Sequence, residues 1–253
     1  MKVLRDTGLV FNRYLLLFLR NPAWVVIQVV QPLLYLILFA PLLKSIAAMP
    51  GFPPGGAYNV FVPGLLVQLG LFGATSVGFG LISDLRFGIV ERMRVTPLSR
   101  LSMLLGRALR DVVTLLVQAL IIVLCSLPFG LSLHPLGVVV MLALLALIGL
   151  GFASISYALA LRLKSEDAYA PLVFTATLPL LLLSGVLLPM SLAPAWLRAV
   201  ADANPLSYAV DAGRQIFQDH IGDADVIKGL AIMAVLALLA VAAAARSFSR
   251  AVA

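Results

Sequence analysis

Five stretches of this chain, Pro22–Leu43, Val60–Ser83, Val112–Phe129, Pro135–Leu161 and Pro171–Pro189, contain no charged residue, and a sixth, Val226–Ala245, contains only Lys228. A helix needs about 20 mostly apolar residues at a rise of about 1.5 Å each to cross a bilayer. Each run is long enough or nearly so. A charge at the centre of such a helix costs about 2.5–3.5 kcal/mol on the insertion scale, so the emptiness of the runs is a property of the solvent they meet. The expected fold is therefore all-α and polytopic, with six transmembrane helices in one domain spanning 1–253.

Composition agrees. Apolar residues make up 62% and charged residues 11%, against about 45–50% and 25% for soluble domains. The net charge of +7 does not point to nucleic acid, because the basic residues are not gathered on one aromatic-bearing face. They flank the apolar runs. With the N-terminus inside, 14 of the 18 Lys and Arg residues fall on cytoplasmic pieces and only Lys44, Arg198, Arg214 and Lys228 outside. The positive-inside rule then places both termini in the cytoplasm. The first apolar run is too long for a signal-peptide core, despite the small residues at Ser45-Ile46-Ala47, and reads as an uncleaved span. Cys125 has no partner cysteine, and His134 and His220 stand apart from any ligand cluster, so no metal site is expected.

Between the spans the chain is short and punctuated. At 100° per residue Lys2, Arg5, Asp6, Arg13 and Arg20 share one face of a segment too polar to span, which suits a helix over 2–20 lying in the inner interface, or else a plain basic tail. Asn21-Pro22 turns it into the first span. The connection over 190–220 is external and reads as two short amphipathic helices, Pro194–Ala203 and Leu206–Phe217, separated by Asn204-Pro205 and resting on or dipping into the outer leaflet. Gly70, Ala74 and Gly78 form a small-residue stripe that permits close helix approach, within the chain or at a dimer seam.

Uphill transport needs an engine. No G-x-x-x-x-G-K-[ST] phosphate loop is present, and no Asp, Glu or His lies centrally in any of the six runs, where a proton-coupled carrier would need one. The chain is either a passive conduit or is driven by another subunit. The segment Asp84–Asp111 bears on this, with six Arg and three acids in 28 residues. Pro97 breaks its helix and Ser99 can cap a new one running into the third span. A short Arg-rich helix over 84–100 suits docking in a groove of a cytosolic protein, although a solvated positive-inside loop would have the same composition.

The run Glu91-Arg92-Met93-Arg94-Val95-Thr96-Pro97-Leu98-Ser99-Arg100 resembles the E-R-x-x-V-T-P-[LV]-S-R signature of type-2 ABC exporter permeases, including those of the daunorubicin-exporter kind. Leu183-Ser184-Gly185-Val186-Leu187-Leu188-Pro189, Trp196-Leu197 and Asn204-Pro205-Leu206-Ser207-Tyr208 resemble that family's C-terminal half. The resemblance implies a membrane subunit of an exporter in the cytoplasmic (inner) membrane of a prokaryote. It implies a homodimer, or a pair with a sister permease, above two ABC ATP-binding subunits. These would hold ATP and Mg, leaving this chain without cofactor or catalytic residues of its own. Glu91, Arg92, Met93, Arg94, Val95, Thr96 and Pro97 match the segment that couples to the ATPase, with Glu91 and Arg92 as polar anchors and Val95-Thr96-Pro97 as the turn. The N-terminal helix would add a second ATPase contact, and the external helices would form a re-entrant pair. Gln28, Gln31, Gln68, Thr75, Thr175 and Thr177 are the polar handles within spans. They suit an amphipathic or hydrophobic drug or antibiotic, with a lipid or glycan-lipid as the alternative cargo; span Ser, Thr and Gln residues also bond between helices. A passive facilitator or channel subunit is the competing class.

Overall fold

The computed structural model describes residues 2–20, 23–46, 57–94, 99–131, 134–186, 190 and 193–251. Helices account for almost all of these, and no strand occurs among the described residues. In chain order they are α1 (Lys2–Leu19), α2 (Ala23–Ile46), α3 (Ala57–Arg86), α4 (Ile89–Arg94), α5 (Arg100–Ser126), α6 (Pro135–Leu163), α7 (Glu166–Leu183), α8 (Ala195–Ala201), α9 (Pro205–Phe217) and α10 (Ala224–Ala251).

Five segments are long and apolar enough to cross a membrane: Tyr58–Arg86, Leu101–Phe129, Pro135–Leu163, Glu166–Leu183 and Ala224–Phe248. The 24-residue α2 lies where the first span is expected and is about 36 Å long at 1.5 Å per residue. This is an all-α polytopic membrane protein.

The helix that Ser99 is expected to cap runs on into the charge-free stretch Val112–Phe129. Helix α5 starts at Arg100, so Arg107, Arg110 and Asp111 lie inside it. Charge marks where an apolar run stops, but a helix continues through charges that find partners on neighbouring helices. Helix α7 runs Glu166–Leu183 and closes on Gly185, whose φ of 76° is the left-handed geometry of a helix C-terminus that glycine accepts without strain.

Helix α6 is central, packing against α3, α5, α7, α9 and α10, while α1 lies along α5. One continuous apolar core joins α3, α5, α6, α9 and α10. The small stripe on α3 works within the chain. A Cβ at Gly70 would come 3.2 Å from Ile148 of α6, and one at Gly78 would strike the ring of Tyr169 on α7. Apolar side chains on the outer flanks, such as Val139, Phe174, Leu182, Leu238 and Leu239, are exposed, as lipid-facing positions require.

Candidate functional site

The segment singled out from sequence leaves α3 through a tight turn. Gly88 takes a φ of 66°, its N–H donates to the Leu85 carbonyl, and Arg92 N–H donates back to the Gly88 carbonyl as α4 begins. Helix α4 carries Glu91, Arg92, Met93 and Arg94. Arg92 is exposed; Val95, Thr96 and Pro97 lie outside the described residues. Val90, on the inner side of α4, is buried. It lines a small cavity with Tyr14, Leu81, Met103, Arg107 and Phe248, so residues of α1, α3, α4, α5 and α10 meet around one point.

Beyond the turn, Ser99 caps α5. Its hydroxyl accepts the Ser102 N–H at 3.0 Å and lies 2.5 Å from the Ser102 hydroxyl. Ser102 in turn donates to the Val3 carbonyl of α1 at 3.1 Å. Glycine at 106 lets the helices close: a Cβ there would fall 2.6 Å from the Val10 Cβ.

Two turns into α5, a buried polar cluster begins that the apolar-run reading of the sequence missed. Arg107 is 6% exposed and is ion-paired with Asp84 at the end of α3. It also donates to the Tyr14 hydroxyl of α1 at 2.5 Å, with its guanidinium carbon 4.4 Å from the centre of that ring. Tyr14 donates to Asp84 at 3.1 Å, closing a triad across three helices. The next turn repeats the device. Arg110 pairs with Asp111 at 2.7 Å and lies 5.2 Å from the ring of Phe18 on α1, while Tyr157 of α6 donates to Asp111. Buried charges survive only when paired and hydrogen-bonded. These two Arg–Asp–Tyr groups therefore fix how α1, α3 and α6 sit on the start of α5.

The opposite end of the bundle holds a further buried cation. Arg214 of α9, expected on an external segment, is 6% exposed. It donates to the Val60 carbonyl at 3.3 Å, the Gly185 carbonyl at 2.6 Å and the Asp211 carboxylate at 3.4 Å. It thereby ties α9 to the start of α3 and the end of α7. Helix α8 is solvent- or lipid-facing there, with Trp196 exposed.

The span handles separate into different kinds. Thr75 donates to the Leu71 and Phe72 carbonyls of its own helix, and its carbonyl accepts from Ser156 and Tyr169, so it is a packing link. Gln31 and Thr175 are exposed on α2 and α7, and Thr177 is buried. Gln28 lies on α2, its side chain outside the described residues. Gln68 is 4% exposed on α3, and its Oε1 has no hydrogen-bond partner.

The bundle thus joins long apolar helices to the short, charged α4 at one end. The chain belongs to the ABC-2 type transporter family, which it matches over residues 5–217. It is 31% identical over 221 residues to the putative transport permease ycf38 of Porphyra purpurea, covering 86% of this chain and 76% of that one. It is 27% identical to a daunorubicin resistance ABC transporter permease protein of Streptomyces coeruleorubidus, covering 90% and 80%. It is 23% identical to a probable doxorubicin resistance ABC transporter permease protein of Mycobacterium tuberculosis, covering 83% and 75%.

Proposed function

We propose that this chain is the membrane permease of an ATP-driven exporter, energised by two copies of a separate ATP-binding subunit that hold ATP and Mg and dock against α4 and the residues up to Pro97. A second permease, a copy of this chain, completes the complex. It works in the cytoplasmic membrane of a prokaryote, with the arginine-rich end of the bundle and both termini inside. The observation that carries the reading is the position of Val90. A displacement of α4 is delivered into the cavity that Tyr14 and Arg107 also line, and through their hydrogen bond and the Arg107–Asp84 ion pair to α1, α3 and α5. Nucleotide binding then biases the bundle between two packings through those contacts.

The cargo in this reading is an amphipathic or hydrophobic drug. Gln68 supports it, since an amide buried in a span without a partner is costly unless a solute supplies one; the names of two relatives point the same way. Lipid or glycan-lipid is the second cargo, favoured by Gln31 and Thr175 on exposed flanks, where a solute arrives laterally from the bilayer.

The test is co-reconstitution with the ATP-binding subunit. Glu91→Lys is expected to leave insertion intact and to lower permease-stimulated ATPase activity by more than about tenfold, the scale of one lost charge-assisted contact of about 1.5–3 kcal/mol. Unchanged stimulation would remove α4 from the docking surface. Cargo flux down its gradient that is indifferent to ATP and to the subunit would make the chain a facilitator instead.

A further inference from the structure

Among the described residues at the arginine-rich end, buried and half-buried acids have their cations. Asp84 has Arg107, Asp111 has Arg110, and Glu166 has Arg86 at 3.7 Å. Asp6 breaks the pattern. It is 4% exposed, and its Oδ2 makes no hydrogen bond. The hydroxyl of Thr7 beside it, also buried, makes none either. Arg5 and Arg13, the described cations of α1 on either side of it, are exposed and form no ion pair with it; the side chain of Lys2 lies outside the described residues.

The position of Asp6 follows from the rungs around it. Towards the start of α1, the Val3 carbonyl takes the Ser102 hydroxyl. A residue further on, the Thr7 carbonyl lies 2.9 Å from where a Cβ at Gly106 would stand, and Val10 clusters with Met103. Asp6 therefore lies in the seam between α1 and the first turns of α5, next to the Ser99 cap where the segment from α4 enters. A carboxylate taken from water without a counter-charge is unfavourable in proportion to its burial, and among the described residues no cation or N–H reaches Oδ2 of Asp6. A carboxylate oxygen without a partner is complementary to an ammonium or guanidinium group.

We infer that Asp6 is the receiving site for a lysine or arginine side chain of the docked ATP-binding subunit, which enters the α1–α5 seam beside Ser99. The inference rests on the proposed function for the existence of that subunit. It gives the contact expected of α1 one named charge. Docking loosens the seam, the cation neutralises Asp6, and the pair holds α1 in its engaged position.

The experiment uses the full permease with its ATP-binding subunit in vesicles, and the permease alone. Asp6→Asn keeps size and polarity. It is expected to reduce stimulated ATPase activity about tenfold, the scale of one charge-assisted contact, while Asp6→Glu retains most of it. In the permease alone, Asp6→Asn is expected to leave the thermal midpoint unchanged or to raise it, because an uncompensated charge has been removed. Restoration of stimulation in Asp6→Lys by a Lys→Glu or Arg→Glu substitution on the subunit supports the pairing. Restoration by reversing Arg94 or Arg100 of this chain, a fall in the midpoint of the Asn variant, or stimulation within twofold of the unaltered chain would each overturn it. Absence of stimulation in the unaltered chain is a different result, which removes the proposed function itself.

Discussion

Each end of this bundle buries an arginine among helices, and the two are held in different ways. Arg107 is held by side chains, Asp84 of α3 and Tyr14 of α1. Arg214 is held chiefly by main chain, the carbonyls of Val60 and Gly185. A side-chain partner can rotate to another rotamer and let its helix slide, so a charge held that way has two arrangements within reach. A carbonyl moves only with its backbone. The first kind of contact suits a joint through which motion passes, and the second suits a staple that keeps α9 against α3 and α7 whatever the rest of the bundle does.

The largest expected effect comes from breaking the joint. Arg107→Met leaves half-buried Asp84 without its cation, a loss that approaches the cost of a broken buried pair, about 3–5 kcal/mol. Thermal unfolding in detergent should show a clear fall in midpoint, and stimulated ATPase activity should be lost. The double variant Asp84→Leu/Arg107→Met sharpens the comparison. Removing both charges should recover most of the stability, since a well-packed apolar pair is often no worse than a buried ion pair. It should not recover stimulation, because the link from α3 to α1 is gone. Stimulation returning with stability would make the pair a staple like the other.

Arg214→Met breaks the other end. Charge-assisted hydrogen bonds are worth about 1.5–3 kcal/mol, so the midpoint should fall by a smaller amount. Stimulation per folded molecule should stay near that of the unaltered chain. A selective loss of stimulation here, with stability kept, would abolish the distinction between the two ends.

The two ends also differ in how far the sequence announces them. The charge-free runs locate the membrane helices because lipid excludes charge residue by residue, a local rule with a local signature. The Ser99 cap is likewise legible from Pro97 and the hydroxyl that follows it, and the external pair α8 and α9 from Asn204-Pro205. The triads are not. Tyr14 lies 93 residues from Arg107 and 70 from Asp84, and nothing near any of the three marks the others as partners. The helix that Ser99 caps is expected, but not that Arg107, Arg110 and Asp111 inside it are held by partners on α1, α3 and α6. The burial of Arg214 on its external segment leaves no such mark either, because its acceptors are mainly carbonyls, which every residue has and which no sequence pattern distinguishes. The reach of the α4 segment beyond Arg94 is carried by sequence alone, since Val95, Thr96 and Pro97 lie outside the described residues.

The smallest expected effect tests where the joint is seated. Ser99→Ala removes the hydroxyl that accepts the Ser102 N–H at 3.0 Å, and lost N-caps cost about 1 kcal/mol. The loss falls on the first turn of α5, whereas Arg107 lies two turns further along, beyond the reach of end fraying. Stability should drop slightly, and stimulation should fall by less than in Arg107→Met. Ser99→Asp should restore the cap and gain from a negative charge at a helix N-terminus, returning both readouts towards the unaltered chain. Should Ser99→Ala abolish stimulation as completely as Arg107→Met while costing little stability, the working contact would be the α5 cap and its bond to α1. The buried ion pair would then join Arg214 as a fixed part of the frame.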